Sequence, residues 1–209
     1  MALILNTTKT APKLTLSTRK EDEFTVKLMW DGKVDMDIHA LSAVNVGAGA
    51  KVSSFDDVLS PFNLLRRIGG ETVGTIKPGA DGTYEIHGGA LVHSKDATDG
   101  LADGVDEWVR VRPSRFSRPD SGIVEIPILV MTHHDDATRR PHFREVQNLR
   151  LEIVDAAGRL VEQVNVSDAF AEFNSLHCGS LIVDDQGCHY STQGSGFNGD
   201  INDVLAQFS

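Results

Sequence analysis

Apolar and polar residues alternate with a period of two along most of the chain. FTVKLMW (Phe24–Trp30), MDIHALSAV (Met36–Val44) and WVRVR (Trp108–Arg112) put every second side chain on an apolar face, and KLTLS (Lys13–Ser17) shares the pattern. Half-buried strands read this way. IVEIPILVMT (Ile123–Thr132) is more continuously apolar, which predicts a central strand covered on both faces. Its Pro127 has no N–H for a ladder, so a bulge or an edge is expected there. LRLEIVD (Leu149–Asp155), LVEQVNV (Leu160–Val166), FNSLHCGSLIVD (Phe173–Asp184) and CHYSTQG (Cys188–Gly194) add further strands, with DAAGR and DDQG supplying turns between them. The helical signal is C-terminal: in NGDINDVLAQFS, Asp200 or Asn202 can cap a helix with Ile201, Val204, Leu205 and Phe208 on one face. The sum predicts an all-β fold, an antiparallel β-sandwich with a short C-terminal helix and with Trp30, Val109, Ile128 and Ile153 in its core.

One region breaks the pattern. Arg66–Ala90 is glycine-rich and poor in apolar residues, and its KPGADGTYEI stretch suggests a hairpin around Asp81-Gly82. It is expected as a glycine-rich hairpin excursion, 66–90, from a single domain spanning 1–209. That length suits one all-β domain.

Charge narrows the function. The formal net charge of -10 argues against nucleic acid as a partner, since phosphate binding needs a basic surface. No apolar run approaches the ~18 residues of a membrane span. MALILNTTKT is too short and polar for a secretory leader, so a cytoplasmic location and reduced Cys178 and Cys188 thiols are expected.

The acidity is concentrated. DATDGLADGVDE holds Asp96, Asp99, Asp103, Asp106 and Glu107 and no Lys or Arg. Small residues between the acids let the backbone curl so that oxygens converge, and calcium takes six to eight oxygens at roughly 2.3–2.6 Å. The stretch is not an EF-hand: counted from Asp96, Glu107 falls at position twelve, but Leu101 stands where the sharp turn needs glycine. Asp35 and Asp37 are two apart and share one face of a strand, where like charges repel unless a cation compensates. A solvated acidic turn is the competing reading.

Other constellations carry less. His133 and His134 in THHDD are adjacent, so on a strand they point to opposite faces and do not share an ion. No nucleophile-elbow motif appears, and the glycines of GGETVGT and GSGFNGD lack the Lys-Ser/Thr of a phosphate loop. RRPHFREVQ (Arg139–Gln147) reads as a solvated connection anchored by Phe143 and Val146.

VKLMWDGKVDMDIHAL, VHSKDATDGLADGVDEWVRV and VMTHHDDATRRPHFREV resemble, in that order, three motifs of the TerD (tellurium resistance) family. His93, Asp96, Gly100, Asp103, Gly104, Asp106 and Glu107 fall on the middle motif without a gap; His134, Asp135, Arg139, Phe143 and Val146 fall on the third. The resemblance runs from about Leu14 to Phe208 and marks a divergent member. It implies a calcium-binding β-sandwich associated with tellurite and general stress resistance, whose biochemical activity is not well defined. The leading reading is therefore a non-enzymatic stress-response module that acts through protein partners, as a homo-oligomer or in a larger assembly. The implied calcium ligands are Asp35, Asp37, Asp96, Asp103, Asp106 and Glu107. Val105 and Ala97 replace residues that could offer oxygens in the family, and Lys95 replaces a glycine, so one firm ion site is expected rather than two equal ones. The alternative function is a structural component of an assembly such as a phage virion that reuses the fold.

Overall fold

A computed structural model of the protein describes residues 23–64, 67–68, 71–72, 76–117, 119–166, 168–185 and 187–209. The Lys13–Ser17 strand expected from the sequence lies outside the described residues. In chain order the strands are β1 (Phe24–Asp31), β2 (Asp35–Leu41), β3 (Ala43–Asn45), β4 (Ala50–Lys51) and β5 (Val58–Leu59). A single-turn helix α1 (Pro61–Leu64) precedes β6 (Arg67–Ile68), β7 (Glu71–Thr72), β8 (Tyr84–Ile86), β9 (Leu91–His93) and β10 (Glu107–Val111). The rest are β11 (Ile123–His133), β12 (Gln147–Val154), β13 (Leu160–Asn165), β14 (Ser175–Asp184), β15 (Gly187–Phe197) and the C-terminal helix α2 (Ile201–Leu205).

Two antiparallel sheets pack face to face. One has the order β13-β12-β1-β10-β9-β8; the other runs β15-β14-β11-β2-β5, with β3 and β4 continuing beside β11. The period-two positions meet between them. Val26, Leu28, Val109, Leu151 and Ile153 from the first sheet pack with Ile38, Ile126, Ile128, Leu176 and Leu181 from the second. The chain crosses from one sheet to the other between β1 and β2, at Asp31–Asp35, and that crossing defines one end of the sandwich.

β11 is buried on both faces, as its continuous apolar run predicts. Ile126, Ile128 and Val130 face the main core, while Leu129 and Met131 join Leu41, Val58, Ile201, Val204 and Phe208 in a second cluster beneath α2. That helix is short and depends on its ends. The Asp200 carboxylate accepts the N–H groups of Asn202 and Asp203, and the Asp203 carboxylate accepts the N–H of Asp200, a reciprocal capping box.

Pro127 sits where β11 changes neighbours. Ile123–Glu125 pair with β3 and Ile128–His133 pair with β2, so the residue lacking an N–H falls in the gap between two partners. The irregularity expected there comes one residue later, as a register shift against β14 between Ile128 and Leu129. The two thiols are free and buried, and Cys188 lies across from Val183 rather than Cys178.

The Arg66–Ala90 excursion differs from expectation in its last part. Tyr84–Ile86 is not a protruding hairpin arm but the edge strand β8, paired with β9, and Tyr84 and Ile86 enter the main core. Only the turn survives from that reading: Gly79 donates to the Thr83 carbonyl and Gly82 to that of Gly79. The glycines obscured a short period-two stretch. No helix among the described residues is long and apolar enough to cross a membrane.

Ile128→Ala should cost about 2–5 kcal/mol, because it opens a cavity at a fully buried central position. Leu160→Ala, at the 57 % exposed start of β13, should stay within about 0.5 kcal/mol of the native chain. Urea denaturation of the two variants measures the contrast.

Candidate metal centre

The crossing from β1 to β2 and the loop from His93 to Glu107 meet at one end of the sandwich. Two glycines join them: Gly32 donates to the Gly100 carbonyl at 3.2 Å and Gly100 donates back to Gly32 at 2.9 Å. The approach is close enough to exclude a side chain. A Cβ on Gly100 would lie 2.4 Å from the Trp30 carbonyl oxygen and 2.5 Å from its indole Cδ1. Trp30 is itself fixed at both ends, its N–H donating to Asp106 Oδ2 at 3.0 Å and its indole N–H to the Val34 carbonyl at 2.9 Å.

Glu107 begins β10 in one sheet, and its side chain reaches the other. Its Oε2 accepts the N–H of Ile38 on β2 at 3.0 Å, and its Oε1 accepts the N–H of Ala97 in the loop at 3.1 Å. Asp37 and Asp96 come in beside it, so that one ligand oxygen from each of the three residues lies within 4.8 Å of the others. Two oxygens on opposite sides of a calcium ion stand about 4.8 Å apart at ordinary ligand distances, so this spacing accommodates one ion. Asp35, two residues from Asp37 on the same strand, points into the same field.

The electrostatics are those of crowded carboxylates. Burial raises the Glu107 carboxyl well above its usual range, and Asp37 adds to the rise against the two backbone N–H donors. Burial likewise raises Asp37, with Asp96 and then Asp35 adding to it. Asp35 is raised by burial, opposed by the nearby His133 imidazole. Asp35 Oδ1, Asp96 Oδ1 and Asp106 Oδ1 are buried without a hydrogen-bond donor among the described residues. Buried acceptors without donors are costly, and an all-oxygen set of this kind matches a hard divalent cation.

Of the six ligands expected from the sequence, Asp37, Asp96 and Glu107 converge and Asp35 adjoins them. Asp106 belongs to a neighbouring group: burial raises its carboxyl, and Asp31 and Asp99 raise it further. Asp103 stands exposed on the loop and is not in the converging triad. Sequence reasoning missed Asp31 and Asp99 as neighbours of Asp106. The signal was available in the Gly32–Gly100 bridge only after folding, because that bridge brings the residues flanking two distant glycines together. His133 lies at the rim, its Nδ1 3.6 Å from Asp37 Oδ2, and an open cleft of about 790 Å³ beside it is lined by Asp31, Lys33, Asp35, Asp96 and His133.

Behind the carboxylates stands His93, which is fully buried. Its two ring nitrogens lie 2.9 Å from the Ser94 carbonyl and 2.8 Å from the Ile38 carbonyl, and its ring stacks on Tyr84 with centroids 4.6 Å apart. Ile38 is thus held through its N–H by Glu107 and through its carbonyl by His93. A second His pairing was not legible in the sequence: His39 Nδ1 lies 2.9 Å from Ser60 Oγ, but both residues are buried, so no substrate reaches them in this structure.

A model of the TerD domain matches residues 82–208, more than half of the chain. The chain belongs to the TerD family. The TerD match begins just ahead of β8 and takes in the whole acidic loop. No curated protein sequence matches the chain. Among solved structures, the fold is similar to that of SAV2460, a protein of unknown function, with a TM-score of 0.64 at 15% identity over 90% of this chain and 96% of that one. It is also similar to SCO6318 from Streptomyces coelicolor A3(2), a homologue of telluride resistance protein (TerD), with a TM-score of 0.63 at 14% identity over 88% of this chain and 95% of that one. At these identities the two likenesses establish the shared fold.

In chelator, Asp37→Asn should stabilise the protein at pH 7, and the gain should shrink as pH falls toward about 4. The sign follows from the raised carboxyl of Asp37. A raised group binds its proton more tightly in the folded state, so its favourable contribution is complete below the unfolded value of about 3.9. That contribution is lost as pH rises through the folded value. Asn carries no charge to desolvate at any pH. Denaturant titrations of both chains from pH 4 to 7 measure the difference.

Proposed function

We propose that this TerD-family protein is a calcium-binding, non-enzymatic stress-response protein of the tellurium-resistance type, which acts through protein partners. The observation that carries the reading is the convergence of Asp37, Asp96 and Glu107 oxygens within 4.8 Å, beside buried carboxylate oxygens that have no donor among the described residues. Asp37, Asp96, Glu107 and Asp35 would hold the firm ion. Asp106, with Asp31 and Asp99, offers a weaker neighbouring position, and Asp103 contributes from its exposed place on the loop.

Bound calcium supplies positive charge where four or more carboxylates meet. The chain's own residues do the rest. Glu107 is fixed by two backbone N–H groups and by its place at the start of β10, so it presents its remaining lone pairs without reorganising. Asp37 is held by the β2–β11 ladder, opposite Met131. Asp96 comes from the loop between β9 and β10, so its carboxylate joins the set from outside the sheets. The reading is one of binding: the converging groups are acceptors, and the outcome is a loop and a sheet crossing locked together. Membership of the TerD family over residues 82–208 supports a role of the tellurium-resistance type for that lock, which this reading places in the cytoplasm.

Calcium should raise the melting temperature relative to chelator, because an ion bound only by the native state stabilises it by about 2.7 kcal/mol at roughly one hundred times Kd. Magnesium should substitute poorly, since it demands a tight octahedron and dehydrates reluctantly. Asp37→Asn and Glu107→Gln should abolish most of the calcium shift, and Asp103→Asn should keep most of it. A melting series in calcium, magnesium and chelator on the four chains checks this. Equal melting temperatures in calcium and chelator for the native chain overturn the calcium reading.

A further inference from the structure

The five edge strands of the sandwich's two sheets are guarded unequally. β8, β5 and β4 are three, two and two residues long. β13 is six residues long, is interrupted by a register shift against β12 and carries Glu162. β15 is eleven residues long, GCHYSTQGSGF, and holds no Asp, Glu, Lys, Arg or Pro. Its ladder with β14 is regular from Gly187 to Thr192, and the irregularity comes only between Thr192 and Ser195. Among the described residues it pairs with β14 alone. Edge strands in stable monomers are kept short, charged, bulged or covered. Among the described residues, the Gly187–Thr192 stretch has none of these guards.

Charge makes the choice of partner specific. A net charge of -10 repels a second copy of the chain over most of the surface. An uncharged strand is where two copies can approach, because antiparallel self-pairing sets like residues against one another and β15 brings no like charges together. The geometry suits a two-fold contact as well. β2 and β5 touch β8, β9 and β10 across the sandwich, so the sheet orders put β15 over the β13 side. In agreement, Glu162 of β13 is near enough to raise the Tyr190 hydroxyl of β15 after burial has done so. The two longest edges therefore lie on one flank, and a two-fold axis there aligns both layers.

We propose that β15 is a self-association edge, on which a second copy of this chain adds its own β15 antiparallel and extends the seven-stranded sheet. Cys188 and Tyr190 face the core while Ser191 is exposed. Faces match only in registers that preserve this alternation, and the paired edge adopts one of the two that set each Ser191 against His189 or Ser191 of the other copy. The two positions 191 then lie within about 8 Å of each other. This inference is independent of the calcium reading, because the edge does not include the acidic end.

The test is light scattering and sedimentation equilibrium on the full chain, in calcium and in chelator. The native chain should be a concentration-dependent dimer in both. Ser191→Lys and Ser191→Glu, each at an exposed position, should weaken the dimer at least about tenfold, with the melting temperature unchanged. An equimolar mixture of the two variants should recover a dimer, which damage to the fold cannot produce. A native chain monomeric throughout, a Ser191→Lys chain that still dimerises, or a mixture that stays monomeric overturns the proposal. A dimer seen only in calcium overturns it too, since that places the contact at the acidic end.

Discussion

A single buried carboxylate ties this structure together. Glu107 is the first residue of a strand in one sheet and hydrogen-bonds the backbone of a strand in the other. β5 reaches only Ala40 and Leu41 on β2, which leaves the N–H of Ile38 without a strand partner on that side among the described residues. Glu107 takes the place of the missing strand, and His93 does the same for the Ile38 carbonyl. The arrangement satisfies backbone groups that would otherwise be buried without partners. It also makes the charged form of that carboxyl expensive unless something positive compensates, which is why burial raises it well above its usual range. The fold's solution to a backbone problem thus creates an electrostatic one, and the neighbouring Asp37 and Asp96 intensify it rather than relieve it.

That coupling explains why the acidic end is built from residues far apart in the chain. The loop and the first residue of β10 supply Asp96 and Glu107, the start of β2 supplies Asp35 and Asp37, and the Gly32–Gly100 bridge holds the two segments together. The bridge in turn rests on Trp30, whose carbonyl and ring leave Gly100 no room for a Cβ. Core packing, loop conformation and carboxylate spacing are one connected system, so a change in any of them is felt by the other two.

Much of the sandwich was legible in the sequence because a half-buried strand writes itself as alternation. Trp30, Val109, Ile128 and Ile153 are all buried, and the doubly covered β11 was recognisable from its unbroken apolar run. The capped C-terminal helix was legible from Asp200 and its apolar neighbours. β8 was not, because three residues among glycines give alternation too little length to register. At the acidic end, residue type and spacing marked a crowd of carboxylates and the family resemblance named Asp37, Asp96 and Glu107 among six, but neither could separate them from Asp103 or gather Asp31 and Asp99 around Asp106. Those distinctions depend on which way a loop turns after a glycine bridge closes, and no local pattern encodes that. The His39–Ser60 contact was invisible for the same reason: β2 and the segment after β5 meet only in the folded chain.

The two tryptophans are placed to report on different parts of this system. Trp30 is buried, and its indole donates to the Val34 carbonyl in the sheet crossing while Gly100 of the acidic loop packs against its ring. Trp108 follows Glu107 on the opposite side of the same strand, half-buried, with the Arg110 guanidinium 4.8 Å from its ring centroid. Emission from the first is sensitive to any movement of the loop, while emission from the second is governed by solvent and a stacked cation. The protein therefore carries its own paired optical probes, one inside the lock and one on its outer wall. A chain bearing only Trp30 would let the order of loop closure and sheet assembly be followed in real time without a label.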